Sequence, residues 1–285
     1  MRNIGLVLSG GMAKGAYQLG ALRAIMEVFK PSDFRYVSSA SIGALNAYAF
    51  LTNGLDKADK IWRTDDYKHH RKWVTAMLKS SYPQESISKI LSDVKFNNHF
   101  YIPLVNLRRR KLSYVDLVKV PAENIESYLR ASVAIPIFNP AVKLNDEFYY
   151  DGAMVDNIPV RPLLKHTLEY IICIYFENYN YIFENEYLDN KIIKMNFADN
   201  NIISNSICFK NESISYMIDE GYAKAKRILE FVLSKGIDDT DAIYSRIEDL
   251  NAMNATGRSF RITGDVIVNN MNKITRKFMN KIEIL

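Results

Sequence analysis

The chain has 285 residues, 48% of them hydrophobic and 24% charged, with a formal net charge of +5. Those values are ordinary for a soluble globular protein with a sizeable core. Two cysteines, Cys173 and Cys208, exclude a disulfide framework, and the missing zinc-ligand spacing and aromatic-basic sheet signature exclude a nucleic-acid module. The mild positive excess suits approach to an anionic surface such as a membrane, or simply reflects the abundance of Lys, Ile, Asn and Tyr.

Ile4 to Leu8 is short and nearly all apolar, as expected of a strand buried on both faces of a parallel sheet. The segment Met1 to Leu8 lacks the apolar core of a secretory signal, and no run of about 18 apolar residues predicts a spanning helix. A cytoplasmic or membrane-peripheral location is the expectation, with signal-independent export left open.

Ser9-Gly10-Gly11-Met12-Ala13-Lys14-Gly15 follows, and Ala16 to Phe29 reads as a helix. A glycine-rich loop between strand and helix points backbone N–H groups at an anion. The Walker pattern fails because no Ser or Thr follows a Gly-Lys pair. The dinucleotide fingerprint fails at Met12, and the next strand ends in Ser38-Ser39 rather than an acid. A transient oxyanion is the third candidate.

Phe34 to Val37 is β-prone, Ala44 to Leu51 is helix-forming, and Ser39-Ala40-Ser41-Ile42-Gly43 joins them. Strand, tight turn and helix with Ser41 at the turn is the layout of a nucleophile elbow. A plain strand-to-helix turn is the alternative. Loops at the carboxyl ends of neighbouring parallel strands share one crevice, so the glycine loop and Ser41 belong together.

Leu55 to Leu78 reads as mostly helical, with Trp62 and Trp73 as packing residues. His69-His70 reads as an exposed basic patch with no ligand set around it, and His99 and His166 show no partner arrangement. Phe100 to Leu107 predicts a strand. Arg108 to Lys111 reads as a solvated turn, or one touching lipid headgroups. Ala122 to Ser132 predicts a helix. Glu147 to Asp151 predicts a strand running into the Asp151-Gly152-Ala153 turn, where Asp151 either bonds its own backbone or serves as an acid. Asn157 is expected to cap a short helix with Pro159 in its first turn.

Tyr170 to Phe176 predicts a buried strand, and 177–211 a surface excursion or lid. Ser213 to Ser234 predicts a helix. Asp265 to Leu285 predicts an amphipathic helix with Met271, Ile274, Phe278 and Ile282 on one face, lying on a membrane or on the core.

Taken together, the glycine loop, the Ser41 turn, Ala131 to Pro136, and Asp151-Gly152-Ala153 with Asn157-Ile158-Pro159 resemble the patatin-like phospholipase family over about Ile4 to Leu164. That resemblance implies a three-layer α/β/α sandwich with a mostly parallel sheet, in a single domain over 1–285 that residues 165–285 complete. It implies a Ser41–Asp151 dyad without catalytic histidine, metal or cofactor, and an oxyanion hole at Gly10, Gly11 and Met12. Lys14, Gly15, Gly43, Gly152 and Asn157 would support the motifs. The implied activity is hydrolysis of fatty-acyl esters such as membrane phospholipids through an acyl-serine intermediate. A lipid- or partner-binding module without chemistry and an esterase or thioesterase for small soluble substrates are the alternatives. Two departures stand out: Met12 and Ser39 occupy positions where that family commonly has glycine, and Met12 cannot take positive φ as cheaply as glycine.

Overall fold

The structure is a computed structural model, and it describes residues 2–63, 87–136, 139–177, 180–198, 211–254, 259–267, 269–271 and 273. Its strands are β1 (Ile4–Leu8), β2 (Phe34–Ser39), β3 (His99–Asn106), β4 (Lys111–Asp116), β5 (Val142–Leu144), β6 (Glu147–Asp151), β7 (Ile171–Tyr175), β8 (Asn180–Phe183), β9 (Ile192–Asn196) and β10 (Ser259–Ile262). The central sheet runs β5-β6-β3-β2-β1-β7-β9, with β4 also on β3. Pairs β1–β2, β1–β7, β2–β3 and β7–β9 are parallel, while β3–β4, β3–β6 and β5–β6 are antiparallel.

Alternation along the strands sorts the core into two layers. Ile4, Leu6 and Leu8 of β1, and Ile172 and Ile174 of β7, face the larger cluster. Val7, Ile171, Cys173 and Tyr175 face the smaller one. The larger layer holds α1 (Gly15–Met26), α2 (Ile42–Leu51), α3 (Leu55–Trp62), α4 (Ile125–Ser132) and α6 (Asn211–Val232). The 3₁₀ segment Arg161–Lys165 and the short α5 (Glu186–Asp189) lie on the other face through Leu163 and Leu188. The architecture is a mostly parallel sheet with helices on both sides. α1 and α6 touch at backbone distance, since a Cβ on Gly20 would lie 1.9 Å from the Ile218 carbonyl oxygen and one on Gly221 2.2 Å from that of Tyr17.

Register places the site. β3 carries β4 along one edge from Tyr101 to Asn106. Its other edge pairs first with β2, Ser38 opposite Tyr101, and then with β6, Leu104 opposite Asp151. β6 therefore continues the line of β2 end to end, and Asp151 arrives where β2 has just stopped.

Three expectations need correction. Ile192–Asn196 is the edge strand of the central sheet beside β7 rather than part of a lid, because Ile192, Ile193 and Met195 are buried and Lys194 is buried with its partner Asp189. Asn157 caps no helix; the following 3₁₀ segment starts after Val160, with Pro162 in its first turn. Ala122 to Ser132 splits into a 3₁₀ turn (Ala122–Asn124) and α4. The expectations for 64–86, including Trp73 and His69-His70, for Cys208, and for Ile274 to Leu285 fall outside the described residues.

Candidate active site

Ser41 sits between β2 and α2 with φ 54° and ψ −131°. A positive φ at a residue with a Cβ costs roughly 1–2 kcal/mol, and packing holds it here. Ala40 donates its N–H to the Leu8 carbonyl at 3.0 Å. A Cβ on Gly43 would lie 2.7 Å from the Ser9 carbonyl oxygen and 2.8 Å from that of Leu8. α2 thus starts directly against the end of β1, and the chain has no room for a gentler turn.

Asp151 is 3% exposed. Its N–H donates to the Ala134 carbonyl at 2.8 Å, which ties it to the segment carrying Ile135 and Pro136. Its Oδ1 accepts from the Ala153 N–H at 2.8 Å. It caps its own turn, and its carboxylate also meets the Ser41 hydroxyl. Burial pushes its pKa up to about 7, against the smaller charge-stabilising effects of the Ser41 contact and the Ala153 N–H.

The glycine loop closes the third side. Ser41 and Asp151 line a cavity of about 350 Å³ together with Gly10, Gly11, Met12, Lys14, Ala153 and Asn157. Met12 adopts φ 53°, so the loop takes the left-handed turn that glycine would make cheaply and bears the strain of doing so with methionine. The three expected donors are not equivalent. Gly10 donates its N–H to the Asn157 carbonyl at 3.2 Å and is already engaged. The Gly11 and Met12 N–H groups have no hydrogen-bond partner among the described residues. Gly11 has the ring of Phe176 where a Cβ would stand, 2.4 Å away.

Asn157 reaches this loop by its side chain, donating from Nδ2 to the Gly10 carbonyl at 3.3 Å and to Glu177 Oε1 at 3.4 Å. Glu177 lines the same cavity. Burial raises its pKa, opposed by the Asn157 amide and the charge of Lys14. Gly15 opens α1 and Gly152 opens the 3₁₀ turn after Asp151.

Sequence reasoning missed the polar network beneath the loop. Gln18 donates to the Ser9 carbonyl at 2.7 Å. Asn46 donates to the Gly15 carbonyl at 2.9 Å and to Gln18 Oε1 at 3.0 Å. Trp62 Nε1 donates to Asn46 Oδ1 at 3.2 Å. The available signal was an amide in the middle of each of two otherwise buried helices, since a buried amide requires partners.

His99 and His166, which showed no arrangement in sequence, do have partners. His99 Nδ1 lies 2.7 Å from Asp116 Oδ2, Tyr101 OH lies 3.2 Å from His166 Nε2, and the Tyr36 ring is near-parallel to both imidazoles, with centroids 5.2 Å from His99 and 3.8 Å from His166. They gather near the amino ends of β2, β3 and β7, away from Ser41.

A mostly parallel α/β sheet thus holds a strained serine at one strand end, facing a buried carboxylate under a glycine loop. A family model described as patatin-like phospholipase matches residues 6–164, and the chain belongs to that family. It is 27% identical over 186 residues to a probable lipid hydrolase of Invertebrate iridescent virus 6, covering 56% of this chain and 63% of the viral protein. It is 30% identical over 175 residues to the neuropathy target esterase of Drosophila persimilis, covering 55% of this chain and 12% of that one. A lysophospholipase of Cryptococcus neoformans is 26% identical over 187 residues, covering 61% and 11%. The chain thus spans less than two thirds of each of these relatives. Among solved structures it is similar to VipD from Legionella pneumophila, with TM-score 0.49, 13% identity and coverage of 81% and 67%.

Proposed function

We propose that the protein hydrolyses fatty-acyl esters of lipids, with Ser41 as nucleophile and Asp151 as general base. The observation that carries this reading is the meeting of Ser41, held at φ 54°, with a carboxylate whose pKa burial raises to about 7. A serine hydroxyl attacks only when a base takes its proton. A carboxylate near its ordinary pKa is too weak a base, and desolvation brings Asp151 close to the operating range.

Ser41 Oγ attacks the ester carbonyl carbon while its proton passes to Asp151. The oxyanion accepts hydrogen bonds from the Gly11 and Met12 N–H groups. The C–O bond then breaks, Asp151 returns the proton to the departing alkoxide, and the acyl group stays on Ser41. Water, deprotonated by Asp151, attacks the acyl carbon; the bond to Ser41 Oγ breaks, Asp151 returns that proton to Oγ, and the fatty acid is released. Lys14 and Asn157 hold the loop and its neighbour Glu177 in place. Among the described residues no helix is long and apolar enough to cross a membrane, so lipid would be met from the surface.

The test is hydrolysis of a defined phospholipid and lysophospholipid panel read by the mass of released acid, with fluorophosphonate labelling in parallel. Wild type is expected to release fatty acid and to label at Ser41, and Ser41→Ala to do neither. A folded wild-type protein that neither labels nor turns over favours the binding-module alternative. Release from monomeric short esters alone favours the small-substrate esterase.

A further inference from the structure

A second cavity of about 440 Å³ adjoins the first and shares Ala153, Met154, Asn157 and Glu177 with it. Its outer wall comes from the C-terminal part of the chain, through Phe260, Arg261, Ile262, Val266, Ile267 and Asn270. None of these lies within the matched span 6–164. The wall is anchored at three places. β10 pairs with β8 in parallel. Asn270 Nδ2 donates to the Val155 carbonyl at 3.1 Å. Ile267 packs with Val105 and Val155.

We propose that this second chamber takes the acyl chain of the ester held at Ser41, an inference that rests on the hydrolase reading above. Most of its lining is apolar, and its floor and wall include Met154, Ile158, Tyr181, Ile262 and Val266. Four of its polar side chains are already engaged, Asn157 with Glu177 among them. The buried Asp156 accepts from Tyr114 OH at 2.6 Å and from the Ile158 N–H, and Asn270 is committed to Val155. A phosphodiester headgroup would have to lose its water beside two carboxylates, Asp156 and Glu177, with Arg261 as the one cation among the lining residues. A hydrocarbon chain meets no such cost and gains from every methylene removed from water. The four shared residues flank Asp151 and the glycine loop, so a chain entering the second chamber keeps its carbonyl in the first.

The test uses the full chain and p-nitrophenyl esters from butyrate to palmitate. Wild-type kcat/KM is expected to climb with chain length, by up to about fourfold per buried methylene, until the chamber is full. Val266→Trp fills the chamber from its partly exposed wall and should lower the palmitate-to-butyrate ratio by about tenfold or more. Glu186→Lys, exposed on α5 and outside the chamber, should leave that ratio within about twofold. A wild-type rate that does not rise with chain length overturns the assignment without recourse to any variant. So does a folded Val266→Trp protein with an unchanged ratio, or a phospholipase rate that collapses in Arg261→Glu alone.

Palmitate binding by calorimetry separates the two readings. If wild type hydrolyses no ester yet binds palmitate, and Val266→Trp weakens that binding by about tenfold, the hydrolase reading falls and the chamber stands. If it neither hydrolyses nor binds, both fall.

Discussion

The two ends of the central sheet carry similar chemistry in opposite states. At the amino end are two histidines, an aspartate and two tyrosines, the residue types usually sought for acid–base work. There the groups are paired with one another: Asp116 accepts from the Phe100 N–H at 3.1 Å and pairs with His99 at 2.7 Å, and Tyr101 meets His166. At the carboxyl end the inventory is poorer, a serine and an aspartate. Yet Met12 and Ser41 are held at φ 53° and 54°, Asp151 is pushed up to about 7 by burial, and two loop N–H groups have no partner among the described residues. Strain and desolvation kept in place by packing single out a candidate site better than residue type does.

The comparison breaks most sharply at the two aspartates. Asp151→Asn should lower kcat/KM on an acyl ester by about 10²–10⁴, whereas Asp116→Asn should leave it within about twofold and lower Tm by several degrees. Stability should move the opposite way at Asp151. Its folded pKa of about 7 exceeds the ordinary aspartate value of 3.8, so the folded state holds more protons between those values and stability falls as pH rises through that window. Asp151→Asn removes this loss, and its Tm at neutral pH should exceed that of wild type. In wild type, kcat/KM should rise with pH and level off above about 7, as the Asp151 base becomes ionised. A flat profile, or an active Asp151→Asn protein, would transfer the base role elsewhere.

A smaller effect sharpens the account of the loop. Gly11→Ala would push a methyl into the Phe176 ring, 2.4 Å away, and displace an unpaired N–H. Losing one such donor costs about 10²–10³ in rate. Truncating the ring in the double variant Gly11→Ala/Phe176→Ala should restore much of it, because the clash rather than the methyl does the harm. Failure of rescue, with both proteins folded, would show that the loop donors do not carry the oxyanion.

Much of the carboxyl end was legible because its signals are local. Ser41 between a β-prone run and a helical one, a glycine loop after the first strand, and an Asp-Gly turn after a later strand each declare themselves within about six residues. What stayed hidden depends on contacts across the chain. Nothing near Asn157 announces that it will face Gly10, 147 positions away. The engagement of the Gly10 N–H by Asn157 follows from that same contact, so a loop read by itself offers three donors where two are unpaired. Ile192–Asn196 is a strand only because β7 lies beside it, and among Asn, Tyr and acidic neighbours it resembled an excursion. His99 and His166 are brought together beside β2, whose Tyr36 ring stacks with each of them.

The smallest expected effect belongs to that aromatic stack. His166 has its pKa lowered chiefly by burial, and also by His99, Arg35 and Lys165, with Asp116 opposing. Its neutral form is therefore favoured in the folded state. As pH falls below about 6.5, the unfolded chain takes up this proton first. Stability should decline through that window and level off once the folded form is protonated too. His166→Gln should flatten this part of the curve, measured as the urea midpoint between about pH 8 and pH 5. The same substitution should leave the rise of kcat/KM through about 7 in place, because that rise belongs to Asp151 at the other end of the sheet. If His166→Gln shifts the activity profile as well, the two ends are coupled through β2, and the amino end is part of the machinery rather than its foil.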